Sequence, residues 1–267
     1  MSKEKMEEVA TYLSQHFQED LALSELAQQF HYSPFHLSRT FKKYLGCTIK
    51  QYIEALRIGR GIREIMEEQQ SVTATSLEAG YDSLGSFSNT FKRHTGVSPK
   101  KYQRESRLAY DFLTKQVAKQ GVLLHQDANL SSQNELTVEV IYPPDYQPRL
   151  TCVGLFKARL PKEVPVVGAV LAGQRSFTFK NVPDGPYYLL ACELLEDLRL
   201  TKNYVLEHNY RQASDEALFF EGNSRLSQQL LMRRPLPSDP PITVNLPVLA
   251  RRSLVQQAQL RIRKFLP

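Results

Sequence analysis

No stretch of the 267 residues approaches the roughly 18 consecutive apolar side chains that a membrane-spanning helix needs. The amino terminus is equally poor in apolar residues: Met1 to Met6 reads MSKEKM and runs into a charged helical pattern, where a secretory signal would need an apolar core. A cytoplasmic protein with no membrane partner is therefore expected. Cysteine is scarce. Cys47, Cys152 and Cys192 are odd in number, far apart and outside any C-x-x-C pair, which argues against a disulfide framework and against a zinc site and predicts reduced, buried thiols. Glycine and proline, at 12 and 15 residues, are too few for a fibrous or disordered chain. His16, His31, His36, His94, His125 and His208 lack H-x-x-x-H or comparable ligand spacing, and neither a G-x-S-x-G elbow nor a phosphate-cradling glycine loop occurs. Nothing calls for a metal, a cofactor or catalytic residues, and none is expected.

What is present divides into two grammars. The length suits two ordinary domains. An internal repeat appears at an offset of 50 residues: SPFHLSRTFKKYLGCTIKQY at 33–52 lies over SLGSFSNTFKRHTGVSPKKY at 83–102, with Ser33/Ser83, Ser38/Ser88, Thr40/Thr90, Phe41/Phe91, Lys42/Lys92, Gly46/Gly96, Lys50/Lys100 and Tyr52/Tyr102 identical. Each copy reads as two short helices joined by a tight turn, a helix-turn-helix. In the first, Ser24 is expected to cap a helix over 24–29, and Ser33 with Pro34 starts a second helix whose buried stripe is Leu37, Phe41, Tyr44 and Leu45, closed by Gly46. In the second, a helix over about 73–79 meets Gly80, Ser83 caps the next helix, Phe87 and Phe91 form its stripe and Gly96 closes it. A long helix over 48–68 connects the copies, with Gly59 and Gly61 inside it as either a bend or a close contact; amphipathic helices over 3–17 and 98–120 flank them.

From Asn134 the period falls to 2. The clearest strands are 135–142, 151–157, 176–180, 186–194 and 242–246, with turns at Pro143-Pro144-Asp145 and Pro183-Asp184-Gly185. The expected fold is multidomain: an all-α DNA-binding domain at 1–107, a helical extension and linker at 108–133 with its polar part at 121–133, and a mostly-β sandwich at 134–267. Tyr142, Tyr146, Tyr187, Tyr188, Tyr204, Tyr210 and Phe219 can line a pocket, although aromatics in strands are more often plain core.

The formal charge of +6 suits a polyanionic partner, and its distribution is more telling. Residues 33–63 hold seven Lys/Arg against one acid and 83–107 hold six against one, whereas 1–32 and 64–82 carry net −4 and −5. The basic stretches coincide with the second helix of each unit and the helix after it, and that second helix is the element a helix-turn-helix inserts into the major groove. The outward faces offer Phe35, His36, Ser38, Arg39, Lys42 and Lys43 in the first copy, and Leu84, Gly85, Ser86, Ser88, Asn89, Lys92 and Arg93 in the second. Arg39 can hold guanine O6 and N7 together, and Asn89 can pair with adenine N6 and N7. Lys42, Lys43, Lys92 and Arg93 lie later in their helices and suit phosphates, as do the hydroxyls and helix amino termini at Ser33 and Ser83.

These residues carry a resemblance. Residues 1–107 are similar to the DNA-binding domain of the AraC/XylS family of bacterial transcription regulators, most strongly at 91–104, FKRHTGVSPKKYQR, which reproduces the family's closing signature. The resemblance implies two helix-turn-helix subdomains on one face of bent DNA, with base contacts from Phe35, Ser38 and Arg39 and from Leu84, Gly85, Ser86 and Asn89. Thr75-Ser76 stands where the family usually has Ile-Ala, and Asn89 where Arg is common. The segment 176–191 resembles the strand, Pro-Gly turn, strand element of prealbumin-like or carboxypeptidase-regulatory-like sandwiches. A signal- or ligand-responsive regulator is the resulting expectation, with promoter DNA, RNA polymerase, a small-molecule effector and a second copy of the chain as partners. Two rivals stand beside it: an architectural DNA binder whose sandwich only dimerises, and a DNA-modifying or repair enzyme carrying the same kind of domain, which would need a reactive cysteine such as Cys47.

Overall fold

The computed structural model describes residues 2–68, 70–120, 122–126, 132–148, 150–162, 164–194, 206, 208–245, 247–248 and 251. Helices α1 (Lys3–His16), α2 (Leu23–Gln29), α3 (Pro34–Leu45), α4 (Ile49–Met66), α5 (Val72–Glu78), α6 (Leu84–Thr95) and α7 (Pro99–Gln120) precede the strands. Local chemistry sets most of their ends. The Ser33 hydroxyl accepts the His36 N–H at 3.3 Å and Pro34 occupies the first helical position, while Ser83 accepts the Ser86 N–H at 3.2 Å. Gly46 and Gly96 close their helices at φ +71° and +81°, the left-handed region that other residues resist. Thr48 and Gln51 form a reciprocal capping box at the start of α4. Ser24 does not cap α2: the helix begins one residue earlier behind Ala22, with no side-chain cap.

Helix α4 carries two cores. Its first half packs Ile49, Tyr52 and Ala55 with Met6, Leu13, Leu37 and Phe41, and its second half packs Ile58, Ile62 and Ile65 with Phe87, Phe91, Val97 and Tyr102. Phe41 and Phe91 are completely buried, and truncating such a ring to alanine costs about 3–5 kcal/mol. Of the two readings of the α4 glycines, close contact is the observed one. A Cβ on Gly61 would stand 3.0 Å from the Phe87 ring, and one on Gly59 3.0 Å from Pro241.

The described residues beyond the helices form two sheets. One has the order β1 (Val122–Gln126), β4 (Val167–Ala172), β3 (Leu150–Phe156), β6 (Gly185–Leu194), β7 (Arg211–Ala213), with β8 (Leu218–Phe220) also on β6; the other runs β5 (Ser176–Val182), β2 (Asn134–Ile141), β9 (Arg225–Leu231). Their inner faces share one core, in which Leu136, Val138 and Phe179 of one sheet meet Val153, Leu155, Val167 and Leu189 of the other. Residues 122–126, expected in the linker, form β1 paired with β4, while 121 and 127–131 lie outside the described residues. The turn at Pro183-Asp184 joins strands of different sheets, so 176–191 crosses the sandwich and makes no hairpin. No strand forms over 242–245, and Leu246 lies outside the described residues. Tyr142 stacks on Tyr146, Tyr210 meets the first edge-on and the second at a tilt, Tyr187 packs near Phe220, and Phe219 is 72% exposed; Tyr204 is outside the described residues. No described helix is long and apolar enough to cross a membrane.

The segment 233–245 lies over the helices as a strap. Tyr52 donates to the Ser238 carbonyl at 2.9 Å, Pro241 sits on Gly59, Thr243 meets His94 and Asn245 donates to Ser106 Oγ at 3.0 Å. A second contact comes from the loop after β3, where Arg159 donates to the Tyr44 carbonyl at 2.9 Å and Leu160 enters the core of the first unit.

Candidate nucleic-acid interface

The turn preceding each recognition helix needs an unusual backbone, supplied by His31 at φ +60° and Gly80 at φ +76°. The second helix of each unit then buries one face and frees the other. In α3, Leu37, Thr40 and Phe41 point inward; Phe35, His36, Arg39, Lys42 and Lys43 are exposed and Ser38 is half-buried. In α6, Phe87, Thr90, Phe91, His94 and Thr95 point inward; Leu84, Gly85, Ser86, Asn89, Lys92 and Arg93 are exposed and Ser88 is half-buried. The outward residues expected from the sequence thus share the solvent face of their helices, while Ser33 and Ser83 are engaged as caps.

Equivalent positions in the two units differ in kind. Phe35 is 76% exposed, whereas at its counterpart Gly85 a Cβ would meet nothing within 4 Å. Arg39 faces Asn89 across the repeat, a five-donor fork against an amide that both donates and accepts. Bare backbone at the start of α6 allows a neighbouring surface to approach closely.

Arg93 is not a free cation. It donates to Glu54 Oε2 at 3.0 Å and to Thr90 Oγ1 at 3.4 Å, so a phosphate would compete with the carboxylate. Glu54 also takes His94 Nε2 at 2.6 Å and Lys162 Nζ at 3.1 Å. The His94 hydrogen bond, with Lys162 second among the favourable contacts, pulls the Glu54 carboxyl down to about 2 against partial burial. Burial in turn pushes the His94 ring below the usual histidine value. Near neutral pH the ring is therefore neutral, donating from Nε2 to Glu54, with Nδ1 facing Thr243 Oγ1 at 3.2 Å, and Lys162 and Arg93 supply the positive charge.

Cys47 is buried against the first core, and burial pushes its thiol up to about 11, the reverse of what a nucleophile needs. Among the described residues, no group of three or more His, Cys, Asp or Glu is placed to hold a metal ion.

Residues 26–105 match the family model for a helix-turn-helix domain. They form an AraC-type DNA-binding domain. Its residues are similar to those of an uncharacterised helix-turn-helix-type transcriptional regulator of Staphylococcus aureus, at 33% identity over 103 residues, 39% of this chain and 14% of that protein. A bifunctional transcriptional activator and DNA repair enzyme of Bacillus subtilis, AdaA, is 29% identical over 100 residues, 38% of this chain and 47% of its own. The DNA-binding domain of AdpA, a global transcriptional factor crystallised in complex with a target DNA, is 23% identical with a TM-score of 0.37, covering 39% of this chain and 93% of that domain. The chain spans 14% of the length of the first relatives and under half of the second. None of these matches identifies the β-sheet region.

The contacts that grip the AraC-type domain use side chains that sequence reasoning passed over: Arg159, Lys162 and Thr243 from outside it and Glu54 on its own α4. Glu54 alone left a trace, as the single acid in the basic stretch 33–63. The others touch the domain from more than a hundred residues away and have no local signature.

Proposed function

We propose that this chain is a sequence-specific, double-stranded DNA-binding transcription regulator that reads two successive major-groove segments with α3 and α6. The observation that carries the reading is the repeated outward face: two capped recognition helices on one connecting helix, each with its first turn exposed to solvent and cations in its last turn. Arg39 is assigned to bidentate contact with guanine, Asn89 to adenine, and Lys42, Lys43 and Lys92 to phosphates. Arg93 reaches a phosphate only by leaving Glu54. The buried, high-pKa Cys47 favours the regulator over the repair-enzyme rival. Selection of bound duplexes from random DNA with the full chain tests this: two short conserved blocks about one helical turn apart support it, and recovery of no common sequence contradicts it.

A further inference from the structure

Between the connecting helix and the strap lies a cleft of about 650 Å³, within the roughly 300–1,000 Å³ typical of small-molecule sites. Helix α4 contributes Leu56, Arg60 and Arg63, and the β-region and strap contribute Leu206, Arg211 and Leu236. Its charge is lopsided. Asp239, the one acid among the described lining residues, is already taken, accepting from both terminal nitrogens of Arg233 at 2.7 and 2.8 Å and from the Leu236 N–H at 2.8 Å. Arg60 is shared by Glu64, Glu68 and Glu78 at 2.6, 3.5 and 3.9 Å.

Arg211 is in a different position. It is only 8% exposed, and its terminal nitrogens donate to the carbonyl oxygens of Pro240, at 3.4 Å, and Leu206. Its Nε has no hydrogen-bond partner, and the acid that feels its charge, Asp239, is bound by Arg233. A guanidinium buried to that degree, with an unused donor and only a share of a carboxylate already bound by another arginine, is costly until an anion completes it. Two guanidiniums on the one carboxylate of Asp239 call for one further negative charge, and the apolar lining calls for a hydrocarbon body.

We propose that this cleft binds a small organic monocarboxylate, its carboxylate on Arg211 with Arg63 beside it and its apolar body against Leu56, Leu206 and Leu236. Such a ligand touches both α4, which carries the cores of the two helix-turn-helix units, and the strap that reaches α6 through Thr243 and α7 through Asn245. Occupation would therefore bear on the angle between α3 and α6. That consequence rests on the DNA-binding reading, whereas the site itself does not.

The test is calorimetric titration of the full chain with benzoate, 4-phenylbutyrate and octanoate, with the corresponding primary amides as neutral controls. The expected result is saturable binding of at least one carboxylate, at least about tenfold tighter than its amide and weakened at least about tenfold in Arg211→Met and Arg63→Met, each checked for folding by circular dichroism. Because Arg63 is only half-buried, its variant decides the matter if Arg211→Met fails to fold. No binding by any of the three acids, amides that bind as tightly as acids, or affinity unchanged in the folded variants overturns the site. Binding to a selected DNA duplex is measured separately, so loss of DNA binding with carboxylate binding retained counts against the proposed function and leaves the site standing.

Discussion

Glu54 accepts a hydrogen bond from His94 at 2.6 Å while Arg93, one residue earlier on the recognition helix, reaches the same carboxylate at 3.0 Å. Lys162 joins them from the loop after β3 at 3.1 Å. The connecting helix, the second recognition helix and the β-region therefore meet on one side chain, and a group expected to hold DNA shares its partner with the companion region.

The Glu54 carboxyl, ordinarily near 4.5, stands at about 2. A carboxyl with a depressed folded-state pKa contributes stability in full above its unfolded value, and that contribution is lost as the pH falls through the folded one. Glu54→Gln is expected to destabilise the protein by about 1–3 kcal/mol at neutral pH. The gap from the parent should narrow between about pH 4.5 and 2, read from urea midpoints at constant ionic strength. A gap of constant size across that window contradicts the assignment.

Gly61→Ala sets two effects against each other. Helix propensity favours alanine by about 1 kcal/mol. The added Cβ would stand 3.0 Å from the Phe87 ring and 3.4 Å from Thr75, and overpacking of that kind costs about 1–3 kcal/mol. Net destabilisation is expected, seen as a lower thermal midpoint; a raised midpoint would mean the ring gives way freely.

The starts and stops of the recognition helices were legible because they are local. Ser33-Pro34 opens α3, Ser83 opens α6, and Gly46 and Gly96 end them. Strand β9 escaped because RLSQQLL is polar and pairs in parallel with a strand some 90 residues earlier, and β4 because VGAVLA lacks alternation. Residues 242–245 look like a strand because Ile242 and Val244 alternate with polar residues. Thr243 and Asn245 instead spend their hydrogen bonds on His94 and Ser106, so long-range partners overrode the local pattern. On the recognition face, exposure and helix position could be read from the pattern, but the competition between Glu54 and phosphate for Arg93 could not.

Gly85→Ala adds a methyl group where nothing lies within 4 Å, at an exposed helical position. Stability should rise slightly, by up to about 1 kcal/mol. If DNA approaches the bare backbone there, affinity for a selected duplex should fall even as the midpoint rises. Unchanged affinity would place the DNA away from the start of α6.

The central claim is that α3 reads bases while the cations later in the helices hold phosphates. It is tested most directly by fluorescence anisotropy on a selected duplex and its single-base variants across a salt series. Arg39→Ala should cost about 1–3 kcal/mol and relax discrimination at one base pair, whereas Lys92→Ala should weaken all sequences alike and lower the salt slope by about one. Binding by both variants that matches the parent at every salt concentration would contradict the account.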